Sequence, residues 1–209
     1  MRNAWVLASR NQGKLVELRA LFASEGIDVV DLRDVGVGED SPAEDEIESY
    51  ATFEENALAK ARYFSARLPN RIVVADDSGL TVGALHGGPG VRSKRWSGKS
   101  DIHGPALDAD NNALLAASMA NHHDRSAEFV CAAAWTDSSV EAVTRGVVAG
   151  RILDRPAGSR GFGYDPYFFV HELGMTMAEA SLTEKQRVSH RARAFLSLIR
   201  DLRARGFIE

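Results

Sequence analysis

The sequence predicts an α/β fold, and three observations carry the expectation. The chain opens strand–loop–helix–strand over residues 4–32. Further along, short apolar runs alternate with segments whose apolar residues recur at helical spacing. The 209 residues are 44% hydrophobic, which suits a sizeable core in one large domain or in two lobes sharing a sheet. We read residues 1–209 as a single domain of two lobes.

The first strand is AWVLAS, Ala4–Ser9. The polar turn RNQGK leads into a helix in which Leu15, Leu18, Leu21 and Phe22 share one face. IDVVDL, Ile27–Leu32, is the second strand. The acidic segment 33–49 holds Gly and Pro and reads as a mobile surface loop. Residues 52–68 form a helix: Thr52 and Glu55 make a capping-box pattern, and Ala57, Leu58, Ala61 and Phe64 give an apolar face. Pro69 and Asn70 stop it. The strand RIVVA, residues 71–75, is expected to end at Asp76–Asp77, with LTVGAL (80–85) as a separate short strand. Residues 86–100 form a loop rich in Gly, Lys and Arg, and 107–120 a helix. Residues 127–137 and 140–153 are two strands of a hairpin turning at Asp137–Ser139. A Gly-rich loop over 155–166 leads to a short strand at Tyr167–Val170. In the last helix, 189–206, Phe195, Leu198, Ile199 and Leu202 face inward.

The net charge of −4 argues against a grip on a nucleic-acid backbone, which needs a basic surface. A local basic pocket for a phosphorylated small molecule is compatible with it. Cys131 is the single cysteine, so no intramolecular disulfide forms and a reducing compartment is the simpler setting. Its apolar surroundings predict a buried, inert thiol. The apolar part of MRNAWVLAS is short for a signal peptide, and no run approaches the roughly 20 apolar residues of a membrane helix. We expect a cytoplasmic protein.

Three polar clusters sit at the ends of apolar elements. SRNQGKLVE, Ser9 to Glu17, is a strand-to-helix turn, where free N–H groups and the helix dipole favour an anion. Asn11 and Lys14 add donors. It lacks the spacing of a Walker loop. ADDSG places two carboxylates side by side. Such a stretch also serves as a turn or cap; placed at a strand end, paired acids suit Mg²⁺, and one of them could take a proton from water. Ser78 lacks the context of a nucleophilic serine. The third cluster joins GFGYDP (161–166) to EKQRVSHR (184–191). Gly161 and Gly163 permit close backbone approach, and Phe162 and Tyr164 offer faces for a base or for core packing. Lys185, His190 and Arg191 supply cations. His122–His123 reads as a solvated loop. Together the clusters describe a Mg²⁺-dependent enzyme acting on a nucleotide polyphosphate.

SRNQGKLVE resembles the [ST]-x-N-x-x-K-x-x-E motif of the inosine/xanthosine triphosphate pyrophosphatases. TFEENALAKA, ADDSGL, GGPGVRSKRW, GFGYDP and EKQRVSHR are similar to that family's other motifs, in the same order along nearly the whole chain. The resemblance implies a long, twisted mixed central sheet flanked by helices, two lobes with a substrate cleft between them, and a homodimer. It implies hydrolysis of ITP, dITP or XTP between the α- and β-phosphates, releasing pyrophosphate. Carried over, Asp77 activates water and engages Mg²⁺ with Asp76, and Glu48 is a further acid for the metal. Ser9, Arg10, Asn11, Gln12, Gly13 and Lys14 hold the triphosphate, and Ser78 contacts substrate. Phe162, Gly163, Tyr164, Asp165, Lys185, His190 and Arg191 read or hold the nucleotide. The chain departs from the usual pattern in having Ser9–Arg10 for Thr-Gly, Glu48-Ser49-Tyr50 for E-T-G, and Arg92 for a tyrosine. Two other readings use the same residues: a non-catalytic nucleotide sensor, and a pyrophosphatase for modified pyrimidine triphosphates.

Overall fold

The structure is a computed structural model that describes residues 4–38, 44, 47–99 and 101–209. Part of the expected acidic loop, residues 39–43 and 45–46, lies outside the described residues. The elements run β1 (Trp5–Leu7), α1 (Gln12–Ser24), β2 (Val29–Asp31), α2 (Phe53–Ser65), β3 (Val73–Val82), α3 (Pro105–Met119), β4 (Ser126–Thr136), β5 (Glu141–Ile152), β6 (Phe168–Val170), β7 (Met175–Thr176), α4 (Leu182–Val188) and α5 (His190–Ala204).

The strands form one seven-stranded mixed sheet in the order β2-β1-β3-β4-β5-β6-β7. β1 is parallel to β2 and to β3, with Trp5 opposite Val29 and Val6 opposite Val73. β5 with β6, and β6 with β7, are antiparallel. Parallel strands need covering on both faces, which is why β1 is an unbroken buried apolar run.

The chain divides into two compact units. The first comprises Met1–Asp77, Cys131–Gly146 and Arg191–Glu209; the second, Ser78–Val130 and Val147–His190. The first unit's core takes Leu15, Leu18, Leu21 and Phe22 from α1 and Phe195, Leu198, Ile199 and Leu202 from α5, all eight buried as their spacing predicts. The Phe22 ring meets Trp5 and Phe195 edge-on, each at 5.5 Å between centroids. The second unit packs Leu80, Val82, Leu115, Met119, Phe129, Phe168 and Val170. Among the described residues no helix is long and apolar enough to cross a membrane.

The structure corrects the sequence reading in two places. β3 does not end at the aspartates; it runs unbroken from Val73 to Val82 with both acids inside it. Asp is a poor strand former, but buried partners satisfy both carboxyls and the strand continues. On α2, Leu58 is only half-buried, and the inward face carries Phe53, Asn56, Ala57, Ala61 and Phe64. The expected apolar stripe is therefore rotated to bring in an asparagine. The first residues of EKQRVSHR belong to the short helix α4, started by a full capping box between Ser181 and Glu184.

The packing predicts that Phe195→Ala lowers unfolding free energy by about 3–5 kcal/mol. Leu58→Ala, at a half-exposed position, should lower it by less than half of that. Denaturant melts of the two variants check the order; equal losses would mean the α2 face is drawn wrongly.

Candidate active site

Consecutive residues of a strand point to opposite sides, so Asp76 and Asp77 need separate environments. Asp76 is 1% exposed. Its Oδ2 accepts from Lys14 Nζ at 2.9 Å and from Arg191 Nε at 3.4 Å, and Cys131 Sγ lies 3.8 Å away. Arg191 also donates to Glu17 Oε2 at 2.5 Å. Lys14 and Glu17 come from the first turns of α1, and Arg191 from the start of α5. Burial alone would raise the Asp76 pKa; the charges of Lys14, Arg191 and Lys60 overcome it and hold the carboxyl well below the usual carboxylate range. The same neighbours leave Cys131 buried, with its thiol pushed far up by burial and by the Asp76 charge.

Asp77 is 6% exposed and is treated differently. Its Oδ2 accepts from Asn56 Nδ2 at 2.9 Å. Asn56 sits wholly buried on α2, and its amide oxygen also accepts from Tyr50 N at 2.9 Å. Lys60, one turn further along α2, pairs closely with Glu48 and donates to the Asp76 backbone carbonyl at 3.1 Å. Burial would lower the Lys60 pKa, but Glu48, Asp76 and Asp77 together raise it. Burial, reinforced by the Glu48 charge, pushes Asp77 up to about 6, against the pull of Lys14, Lys60 and Asn56. Asp77 and Glu48 therefore repel each other across a shared space. Hard oxygen donors in mutual repulsion suit a divalent cation of the Mg²⁺ kind. Among the described residues no three His, Cys, Asp or Glu side chains gather to a single point.

The turn before α1 is built locally. Asn11 caps the helix, its Oδ1 accepting from Lys14 N at 3.1 Å, and Ser9 Oγ accepts from Asn11 N at 3.3 Å. Gln12 and Gly13 open the helix, where backbone N–H groups lack carbonyl partners within it. Arg10 turns to the segment beyond β2. It grips Glu44 through Nε at 3.2 Å and NH2 at 2.8 Å, and also donates to the carbonyls of Val37 and Gly38.

The remaining predicted residues lie in the second unit. Ser78 follows the acids on β3 and is half-buried. Asp165 and Lys185 form a buried pair at 2.5 Å. Asp165 Oδ2 also accepts from Phe162 N at 3.3 Å. Gly161 has φ +81, and a Cβ there would fall 2.0 Å from Asp165 Oδ2 and 2.5 Å from Lys185 Nζ, so glycine is favoured on both counts. Phe162 is partly exposed. The Tyr164 ring instead belongs to the core, its hydroxyl donating to Ser93 O at 2.8 Å. His190 stacks on Phe129 with centroids 4.8 Å apart. His122 and His123 are exposed, as expected of a solvated loop.

Sequence reasoning passed over Asn56, Lys60 and Glu17, three side chains that touch the acids or their partners. Asn56 and Lys60 looked like ordinary helix residues. Two signals were available: a polar residue at the centre of an apolar helical face, and the place of all three within TFEENALAKA and SRNQGKLVE.

The class is thus an α/β protein carrying two unlike buried acids on one strand, beside the N-terminus of a helix. The chain belongs to the Ham1 family, whose sequence profile matches residues 5–201. A relative from Ralstonia nicotianae, named dITP/XTP pyrophosphatase, is 46% identical over 95% of this chain and 96% of its own length. One of the same name from Mycolicibacterium paratuberculosis is 47% identical over 96% and 98%. Among solved structures, the Staphylococcus aureus Ham1 protein superposes with a TM-score of 0.79 at 36% identity, covering 97% of this chain and 99% of the other.

The acids give a signed stability prediction. The folded-state pKa of Asp77 lies above its ordinary value of 3.8. Its contribution to stability is therefore complete below about pH 4 and lost as pH rises through about 6. In metal-free buffer at pH 8, Asp77→Asn should be more stable than the wild type by about 1–3 kcal/mol, and the gain should vanish near pH 4. Melts of both proteins across that range check it; a variant less stable at pH 8 would remove the repulsion argued here.

Proposed function

We infer that the protein hydrolyses noncanonical purine nucleoside triphosphates such as ITP, dITP and XTP to the monophosphate and pyrophosphate. The observation that carries this reading is Asp77, a carboxyl held up to about 6 by burial and by Glu48, in a chain of the Ham1 family. A pure binder gains nothing from such a carboxylate facing an anionic ligand. At neutral pH Asp77 is ionised yet basic enough to accept a proton.

The roles follow the chemistry of each side chain. Asp77 takes a proton from the attacking water as the bond between the α- and β-phosphates breaks, and pyrophosphate leaves. Asn56 fixes the orientation of Asp77 by its hydrogen bond. Asp77 and Glu48 are the acids that would hold Mg²⁺, which when bound would neutralise charge on the phosphate oxygens, and Asp76 stands behind them on the same strand, paired with Lys14 and Arg191. Asp76 contributes mainly through Lys14, whose ammonium it holds near the start of α1. Ser9, Asn11, Gln12, Gly13 and Lys14 receive the phosphates through hydroxyl, amide, backbone and ammonium donors. Arg10 supports that turn through the segment it grips.

Ser78 and the second-unit set are assigned to the nucleoside. Phe162 presents a ring to the base. Gly163 and Tyr164 shape the loop behind that ring, Asp165 and Lys185 hold it through their buried pair, and His190 supplies a donor; Arg191, at the start of α5, acts through Asp76 and Glu17. A donor aimed at O6 accepts inosine and xanthosine and is left unpaired against the adenine amine. The family resemblance adds a homodimer, and the buried thiol of Cys131 is at home in a reducing cytoplasm.

Incubation with ITP and Mg²⁺ should yield IMP and pyrophosphate, and EDTA should stop the reaction. Release of IDP and orthophosphate would place the cut at the wrong bond. Asp77→Asn should lose roughly 10²- to 10⁴-fold in kcat while remaining folded. Lys14→Ala should raise KM on the order of tenfold. An unchanged KM would remove the phosphate role of the α1 turn.

A further inference from the structure

We propose that Asp108 and Asn112 of α3 are positioning residues that fix the base-reading loop and thereby set the preference among purines. The proposal rests on the reading above, in which Phe162 and its neighbours face the base. Gly163, the residue after Phe162, has φ +60, and a Cβ placed there would meet nothing within 4 Å. No packing on that side holds the peptide.

What holds it is one face of α3. Asp108 Oδ2 accepts from Gly163 N at 2.8 Å, and Asn112 Nδ2 donates to Gly163 O at 2.9 Å. Residues four apart share a helix face, so both backbone groups of a single glycine are taken by a single helix. The Gly163 N–H belongs to the peptide that follows Phe162, and its carbonyl to the peptide before Tyr164. Both planes are therefore set. On the other side, Phe162 N donates to Asp165 Oδ2 at 3.3 Å. The partly exposed Phe162 ring thus takes its direction from a backbone pinned before and after it.

The clamp is itself anchored. Leu107, Asn111, Leu115 and Met119 of α3 are buried. Asn111 Oδ1 accepts from Ser97 N at 2.8 Å, and its Nδ2 donates to Lys94 O at 3.1 Å. Tyr164 ties the far end of the loop to the same stretch through Ser93 O. A helix fixed in the core thus dictates where a loop of glycines presents the partly exposed Phe162 ring. The residues assigned to the triphosphate belong to the first unit and the clamp to the second, so the clamp should act on base recognition and not on the chemical step.

The experiment compares Asp108→Ala, Asn112→Ala and Asp108→Asn in the full chain. Asp108→Ala should raise KM for ITP about tenfold and Asn112→Ala a few-fold, with kcat changed less than about threefold. Their preference for ITP over GTP should fall. Asp108→Asn keeps an acceptor oxygen and should restore KM to within about twofold of wild type. Inorganic tripolyphosphate, which has no base, should inhibit wild type and variants with the same constant. Hydrogen exchange over residues 161–165 should quicken in Asp108→Ala and not in Asp108→Asn. If tripolyphosphate inhibition weakens in step with KM, the effect is a general loosening and the proposal falls. It also falls if Asp108→Ala keeps the wild-type KM and loop protection while the wild type is active. A wild type that fails to turn over ITP overturns the function assigned to the site instead.

Discussion

Two adjacent carboxylates inside one buried strand are the constraint around which the first unit is arranged. Each would be expelled from an apolar interior unless compensated. Alternation along β3 gives them different hydrogen-bond partners, although the charges of Lys14 and Lys60 reach both. Asp76 receives Lys14 and Arg191 and becomes a permanently ionised anchor. Asp77 receives a neutral amide from Asn56 and a like charge from Glu48, and its pKa climbs. One strand thereby produces two acids of different character from the same residue type. Pushing two titratable groups apart in this way is how a single fold separates a structural charge from a reactive one.

The surrounding charges follow from that division. Arg191 is shared between Asp76 and Glu17, so the starts of α1 and α5 are bound to the same point of the sheet. Lys60 reaches from α2 to Glu48 and to the Asp76 carbonyl. Three helices are thus fastened to one pair of strand residues. Burying so many charges is not an efficient route to stability, since apolar replacements of similar size are often as stable or more so. The arrangement makes sense as placement: it holds the ammonium of Lys14 and the carboxylate of Asp77 in fixed positions, and the repulsion between Asp77 and Glu48, only partly offset by Lys14 and Lys60, is what the proposed chemistry would use.

Most of the fold was legible because its elements announce themselves through spacing. The α1 and α5 faces, the hairpin at Asp137–Ser139 and the buried Cys131 all follow from apolar periodicity and turn residues. The error at β3 had a physical cause. Local rules end a strand at Asp-Asp-Ser-Gly, and Lys14, Lys60, Arg191 and Asn56, distant in sequence, offset the penalty. Asn56 and Lys60 were hidden for the same reason, because a helix pattern records which face is apolar and not what a polar residue on it will meet. Arg10 and Tyr164 lie in the expected motifs, yet the arginine grips Glu44 and the tyrosine ring packs in a core. A motif gives neighbourhood; the direction of each side chain is decided by partners from elsewhere in the chain.

The second unit solves a different problem, that of holding a flexible glycine loop still. Gly161 is favoured by its φ of +81, and an added Cβ would also crowd the paired ends of Asp165 and Lys185. Gly163 is compelled by its backbone angle alone and has open space beside it. Left to themselves, two such glycines would give the Phe162 ring a wide range of directions, at an entropic penalty to any ligand that had to select one. The buried Asp165–Lys185 pair restrains one side of the ring and the α3 carboxamide and carboxylate restrain the other. Discrimination between purines that differ by one exocyclic atom needs donors placed to within a fraction of an ångström. For the base-reading role proposed above, restraint from two directions is the source of that accuracy.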